Sequence, residues 1–172
     1  MDPKSLKAQL LTHKGQRMAV ISIQGGLGQY HGFRGHDFNK SLSELGNHDV
    51  LYTMLDSGGG SVVDAWIIYD YLMARPAPKP RSLVLITGQC SNDAILIALA
   101  FDQILMRPNA YMQFQPINLS RPTAGQRATR FIGLKVADRT ASTFEDVLRW
   151  MDKNRRFTAD DCLARSLCDA IV

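Results

Sequence analysis

Histidine is scarce in this 172-residue chain, and it is confined. The four histidines are His13, His31, His36 and His48, and none follows residue 48. No imidazole general base can therefore come from the stretch 49–172. Cysteine is limited to Cys90, Cys162 and Cys168. An odd number without metal-type spacing excludes a disulfide framework and a zinc module, so reduced thiols are expected. Long apolar runs are also missing. The longest, Ala94 to Phe101, has eight residues, against the roughly 20 needed to cross a bilayer. The first residues, Met1-Asp2-Pro3-Lys4-Ser5-Leu6-Lys7, lack the charged-then-apolar order of a signal peptide. A cytoplasmic protein is the expectation.

Phosphate-binding fingerprints are absent too. The glycine-rich stretch Gly25 to His36 has neither a Gly-Lys-Ser/Thr ending nor G-x-G-x-x-G, so no cofactor is expected. His31 and His36 have no Cys or further His near them in sequence and read as surface histidines, not as metal ligands. Net charge is +4. Residues 121–156 hold nine Lys/Arg against four Asp/Glu, a surplus of five, so the rest of the chain nets minus one. Without an aromatic or glycine motif of a nucleic-acid module, this basic segment reads as a solvated or subunit-contacting helix face.

What is present is the composition of an ordinary globular chain, with 45% hydrophobic and 21% charged residues, long enough for one domain spanning 1–172. Residues 4–14 are expected to form a short polar helix. Met18–Ile23, Val50–Leu55, Leu83–Ile86, Ile104–Met106 and Tyr111–Phe114 read as strands, and Ala170–Val172 as a small closing strand. Helices are expected over 37–46, after Ser61, over Ala94–Phe101 and over 122–138. Ser142 with Glu145, Ser61 with Asp64, and Thr158 with Asp160 and Asp161 read as helix starts. Strands alternating with helices argue for an α/β fold.

Two strand-to-helix turns stand out, Asp56 to Ser61 and Gly88 to Asp93. Each offers free N–H donors. Adjacent in space, they would form an oxyanion hole, which stabilises charge developing during acyl transfer.

These residues also resemble a family. Leu55-Asp56-Ser57-Gly58-Gly59-Gly60-Ser61-Val62, Ile68-Tyr69-Asp70, Gly88-Gln89, Pro108-Asn109, Gln115-Pro116 and Thr158-Ala159 to Asp169-Ala170-Ile171 look, in order and spacing, like the proteolytic subunit of the ATP-dependent Clp protease. Ile97 to Ile104 also looks like the matching stretch of signal peptide peptidases of the same superfamily. The resemblance covers roughly residues 18–172. It implies a Clp-protease/crotonase-like fold of repeated β-β-α units and ring-forming oligomers. It also implies a possible ATPase partner and peptide as ligand, with no membrane partner.

Carried over position by position, the family's nucleophilic serine falls on Asn92. Its general-base histidine falls on Phe114, or on Gln115 if the count is anchored at Pro108-Asn109. Its aspartate falls on Asn154, and its oxyanion donors on the N–H groups of Gly60 and Asp93. An amide is not a nucleophile, a phenylalanine takes up no proton, and neutral Asn154 cannot offset an imidazolium. The segment about 117–157, which matches the family's ring-joining handle, is short and carries the basic surplus. Three readings follow. The first is a non-catalytic oligomeric subunit that binds peptide or regulates, alone or assembled with an active homologous subunit. The second is an active hydrolase using Ser91, with Lys135 or a loop histidine as base, or Cys90 as an alternative thiol. The third is a relative that binds an acyl thioester.

Overall fold

The computed structural model describes residues 5–28, 32–117 and 122–172. His31 lies outside these residues. The chain opens with a hairpin of β1 (Ser5–His13) and β2 (Gln16–Gln24), paired antiparallel from Ser5↔Gln24 to His13↔Gln16. This corrects the expected N-terminal helix. Lys14 and Gly15 have φ of 49° and 80°, which makes a two-residue turn of the primed type whose twist matches paired strands. Leu6, Leu10 and Leu11, whose spacing also fits one side of a helix, lie along an edge strand, where Leu10 and Leu11 are exposed.

A small pair, β3 (Gly26–Leu27) and β4 (Gly32–Phe33), precedes α1 (Gly35–Glu44). Then come β5 (Val50–Ser57), α2 (Val62–Met73), β6 (Arg81–Ser91), α3 (Ala94–Ala98), β7 (Gln103–Met106) and β8 (Tyr111–Gln113). The remainder is α4 (Pro122–Arg139), α5 (Phe144–Asp152), β9 (Arg156–Thr158), α6 (Ala159–Ala164) and β10 (Ala170–Ile171). The main sheet runs β1-β2-β5-β6-β7-β10, parallel from β2 onward, with β8 joined to β6 and β9 to β8. The architecture is mixed α/β, as expected.

Alternation explains β5: Leu51, Thr53, Leu55 and Ser57 are buried and the residues between them are partly exposed. Helix α3 is apolar on every side because all five of its residues are buried. Ser61 caps α2 by accepting from the Asp64 N–H, but Asp64 does not close a capping box. Its carboxylate instead accepts from the Gly35 N–H at 2.7 Å, pinning α1 to α2. The α5 cap sits one residue later than expected, on Thr143 with Asp146, while Thr158 and Asp161 form the expected reciprocal cap of α6. Among the described residues, no helix is long and apolar enough to cross a membrane.

Candidate functional site

Strand β6 does not stop at Gly88, as the glycine suggested. It continues to Ser91 and changes partner on the way. Residues 83–86 pair with β7 and residues 89–91 with β8. The pairing with β5 slips across the same gap, between Leu55↔Ile86 and Ser57↔Cys90. Gly88 serves this slip. The Asp56 carboxylate accepts from the Gln89 N–H at 2.9 Å, and a Cβ on Gly88 would stand 2.6 Å from it.

The turn itself falls at Asn92, with φ of 56°. Asparagine tolerates this left-handed conformation better than most residues. The Asn92 N–H donates to the Gln113 carbonyl at 3.0 Å, and its Nδ2 donates to the Gly58 carbonyl at 3.1 Å. Asn92 Oδ1 is buried and has no hydrogen-bond partner among the described residues. A strained residue between a strand and a buried helix is the geometry in which hydrolases expose a nucleophile. Here it exposes an amide that ties two loops together.

The glycine loop lies directly opposite. Gly59 and Gly60 have φ of 87° and 146°, and a Cβ on Gly60 would meet the Leu27 carbonyl oxygen at 2.4 Å. Leu27 donates its N–H to the Gly59 carbonyl at 3.0 Å, which locks the loop to β3. The two turns are therefore brought together, and Asp93 decides what they form. Its side chain points into the cradle, with each carboxylate oxygen 3.1 Å from the Gly60 N–H. Asp93 is only 4% exposed. Burial pushes its pKa up, while hydrogen bonds from the Gly60 N–H and from its own N–H pull it down, and Asp64 raises it further; the net direction is upward. The Gly60 N–H, one of the two groups matched to oxyanion donors, thus faces an internal carboxylate.

Phe114 is fully buried. Its ring packs edge-on against Trp150 and Phe157, with centroids 5.7 Å away in both cases. Its N–H donates to the Arg155 carbonyl, so β8 brings the Asn92 turn and the end of α5 side by side. Asn154 closes α5 with φ of 49°. The Asn154 N–H donates to Met151 and the Arg155 N–H to Trp150, a two-bond terminus that requires a left-handed residue. Asn154 is exposed.

The other candidates are dispersed. Ser91 is 5% exposed, and its Oγ is buried without a hydrogen-bond partner among the described residues. Cys90 is fully buried, and that burial raises its thiol pKa strongly, away from the reactive thiolate. Lys135 pairs with Asp138 at 3.8 Å and lies over the Phe131 ring. His36 is exposed on α1. Among the described residues no group of His, Cys, Asp and Glu is placed to hold a metal. Between the two turns is a cleft of about 300 Å³ lined by Gly58, Gly59, Gly60, Asn92, Asp93, Gln115, Pro116 and Ile117. Residue identities alone pointed to Asn92, Phe114 and Asn154. The direction of the Asp93 side chain carried no sequence signal.

The sequence model of the Clp protease family matches residues 41–172. The chain belongs to the Clp protease family. Its fold is similar to that of ClpP1 from Listeria monocytogenes, with a TM-score of 0.76 and 21% identity over 89% of this chain and 90% of that one. An asparagine-to-aspartate mutant of the same ClpP1 superposes with a TM-score of 0.77 at 20% identity, with the same coverage. At this identity the likeness establishes the Clp protease fold, while the chemistry rests on the residues of this chain. No curated protein sequence matches it.

Proposed function

We propose that this chain is a non-catalytic member of the Clp protease family, an oligomeric subunit whose cleft binds peptide without cutting it. The observation that carries this reading is the Asp93 carboxylate on the Gly60 N–H. An oxyanion hole works by presenting free donors where negative charge develops. A carboxylate already seated there consumes the Gly60 donor and repels a second negative charge.

The remaining positions support the same reading. Asn92 supplies no nucleophile, Phe114 supplies no base, and Asn154 is committed to a helix terminus. Hydrolysis through Ser91 would need an exposed hydroxyl beside a base, and Ser91 has neither. Binding an acyl thioester would need the same donors that Asp93 occupies.

The cleft remains open between Gly58–Gly60 on one side and Gln115–Ile117 on the other, which suits an extended peptide. Family membership supports a ring-type assembly, either of this chain alone or with an active homologous subunit, in the cytoplasm and with a possible ATPase partner. In this reading residues 1–172 form one Clp-protease-like domain, with α4 and α5 in the place of the handle. The test is an amidase and esterase assay on the purified oligomer, run beside a fluorescence-anisotropy titration with labelled peptides. Saturable binding without turnover is expected. Turnover that scales with protein concentration through repeated purification overturns the proposal.

A further inference from the structure

The cleft between the two turns differs in polarity from the oxyanion hole expected there. An oxyanion hole presents donors. Here the Gly60 N–H faces Asp93, and two residues that carry acceptor oxygens, Asn92 and Asp93, line the cleft. The Asp93 carboxylate has two oxygens with more lone pairs than its N–H contacts consume. Asn92 Oδ1 is buried without a partner. Its identity as the oxygen follows from the other end of the amide, which donates to the Gly58 carbonyl. Both residues line the same cleft.

A buried acceptor without a donor costs free energy, and a buried carboxylate short of counter-charge costs more. No cationic side chain is within 4.0 Å of Asp93 among the described residues. A second carboxylate, Asp64, raises its pKa further. A ligand that brings several N–H donors and one positive charge would relieve both deficits at once. An ammonium group has three donors and no acceptor.

We propose that the cleft receives a primary ammonium, from a lysine side chain or a free peptide amino terminus, which the Asn92 carbonyl oxygen and the Asp93 carboxylate hold. This rests on the peptide-binding reading and names the group it recognises. An anionic ligand is disfavoured at the same place, because the donors that would hold it are taken.

The experiment uses the full chain and four versions of one lysine-containing peptide: free, acetylated at the amino terminus, acetylated at the lysine, and acetylated at both. Butylammonium and acetate serve as small probes, followed by NMR or calorimetry. The free peptide is expected to bind at least tenfold tighter than the doubly acetylated one, and the two singly acetylated forms identify which amine is used. Asp93→Asn is expected to abolish that preference while the variant keeps its circular dichroism spectrum. Equal binding of all four peptides overturns the ammonium proposal and leaves peptide binding standing. Binding of butylammonium without any peptide overturns peptide binding and supports the ammonium site. Preference for acetate, or an ammonium preference unchanged in Asp93→Asn, overturns the proposal.

Discussion

Each oxygen of the Asp93 carboxylate lies 3.1 Å from the Gly60 N–H. Two segments separated by 33 residues are thereby joined across the cleft between the two turns. The contact makes Asp93 at once a structural clasp and a negative charge in a buried place. These two roles respond differently to pH.

Burial raises the Asp93 pKa above its ordinary value of 3.8. The folded protein therefore binds this proton more tightly than the unfolded chain. The contribution is fully present below the unfolded value, declines as pH rises through the folded value, and is lost above it. Asp93→Asn keeps the shape and removes the charge. The variant should melt higher than the parent at neutral pH, and the gap should close as pH falls to about 4 and below. Melting curves across that range check it, and a gap that widens on acidification would contradict the account.

Asn92→Ser should create no hydrolase. The new hydroxyl would have no base, because Phe114 is held by Trp150 and Phe157. Losing the Nδ2 bond to Gly58 should also cost about 1 kcal/mol. Phe114→Ala should destabilise by about 3–5 kcal/mol, the usual cost of emptying a buried aromatic site. Denaturant titrations with an activity assay on the same samples check all three expectations.

Asn154 should matter as backbone, not as a charge position. Asn154→Val should cost about 1–2 kcal/mol because a β-branched residue resists the left-handed conformation. Asn154→Gly should be close to neutral, and Asn154→Asp should restore no turnover. Thermal melts beside peptide assays read both outcomes.

The positive surplus in residues 121–156 bears on assembly. If α4 and α5 stand where the family joins its rings, like charges face one another across that contact. Sedimentation should show a species smaller than a double ring at low salt, growing toward one as salt screens the repulsion. A stable double ring of this chain alone at low salt would contradict the expectation.

The parts of the fold legible in the sequence were those written in local chemistry. The five interior strands, the buried helix after Asp93 and the Thr158 cap all follow from hydrophobic period and capping residues. The N-terminal hairpin was not legible, because Leu6, Leu10 and Leu11 satisfy a helical spacing equally well. What decides the strand is pairing with β2, together with a Lys14-Gly15 turn that lacks the usual Asn-Gly signal. The end of β6 was misplaced for a related reason. Gly88 reads as a turn, but it is a point where the Asp56 carboxylate presses against a strand. At the site, counting from Gly88-Gln89, Gln115-Pro116 and Thr158-Ala159 led to Asn92, Phe114 and Asn154 as the positions the family resemblance implies. The self-occupied cradle could not be read this way, because it depends on which way one buried aspartate turns.

In the proposed reading the two turns stay together while nucleophile and base are gone. Labelling the purified chain with a fluorophosphonate probe, beside a Ser91→Ala control, tests it most directly. No stoichiometric labelling of either protein is expected. Stoichiometric labelling of the parent that vanishes in Ser91→Ala would contradict it.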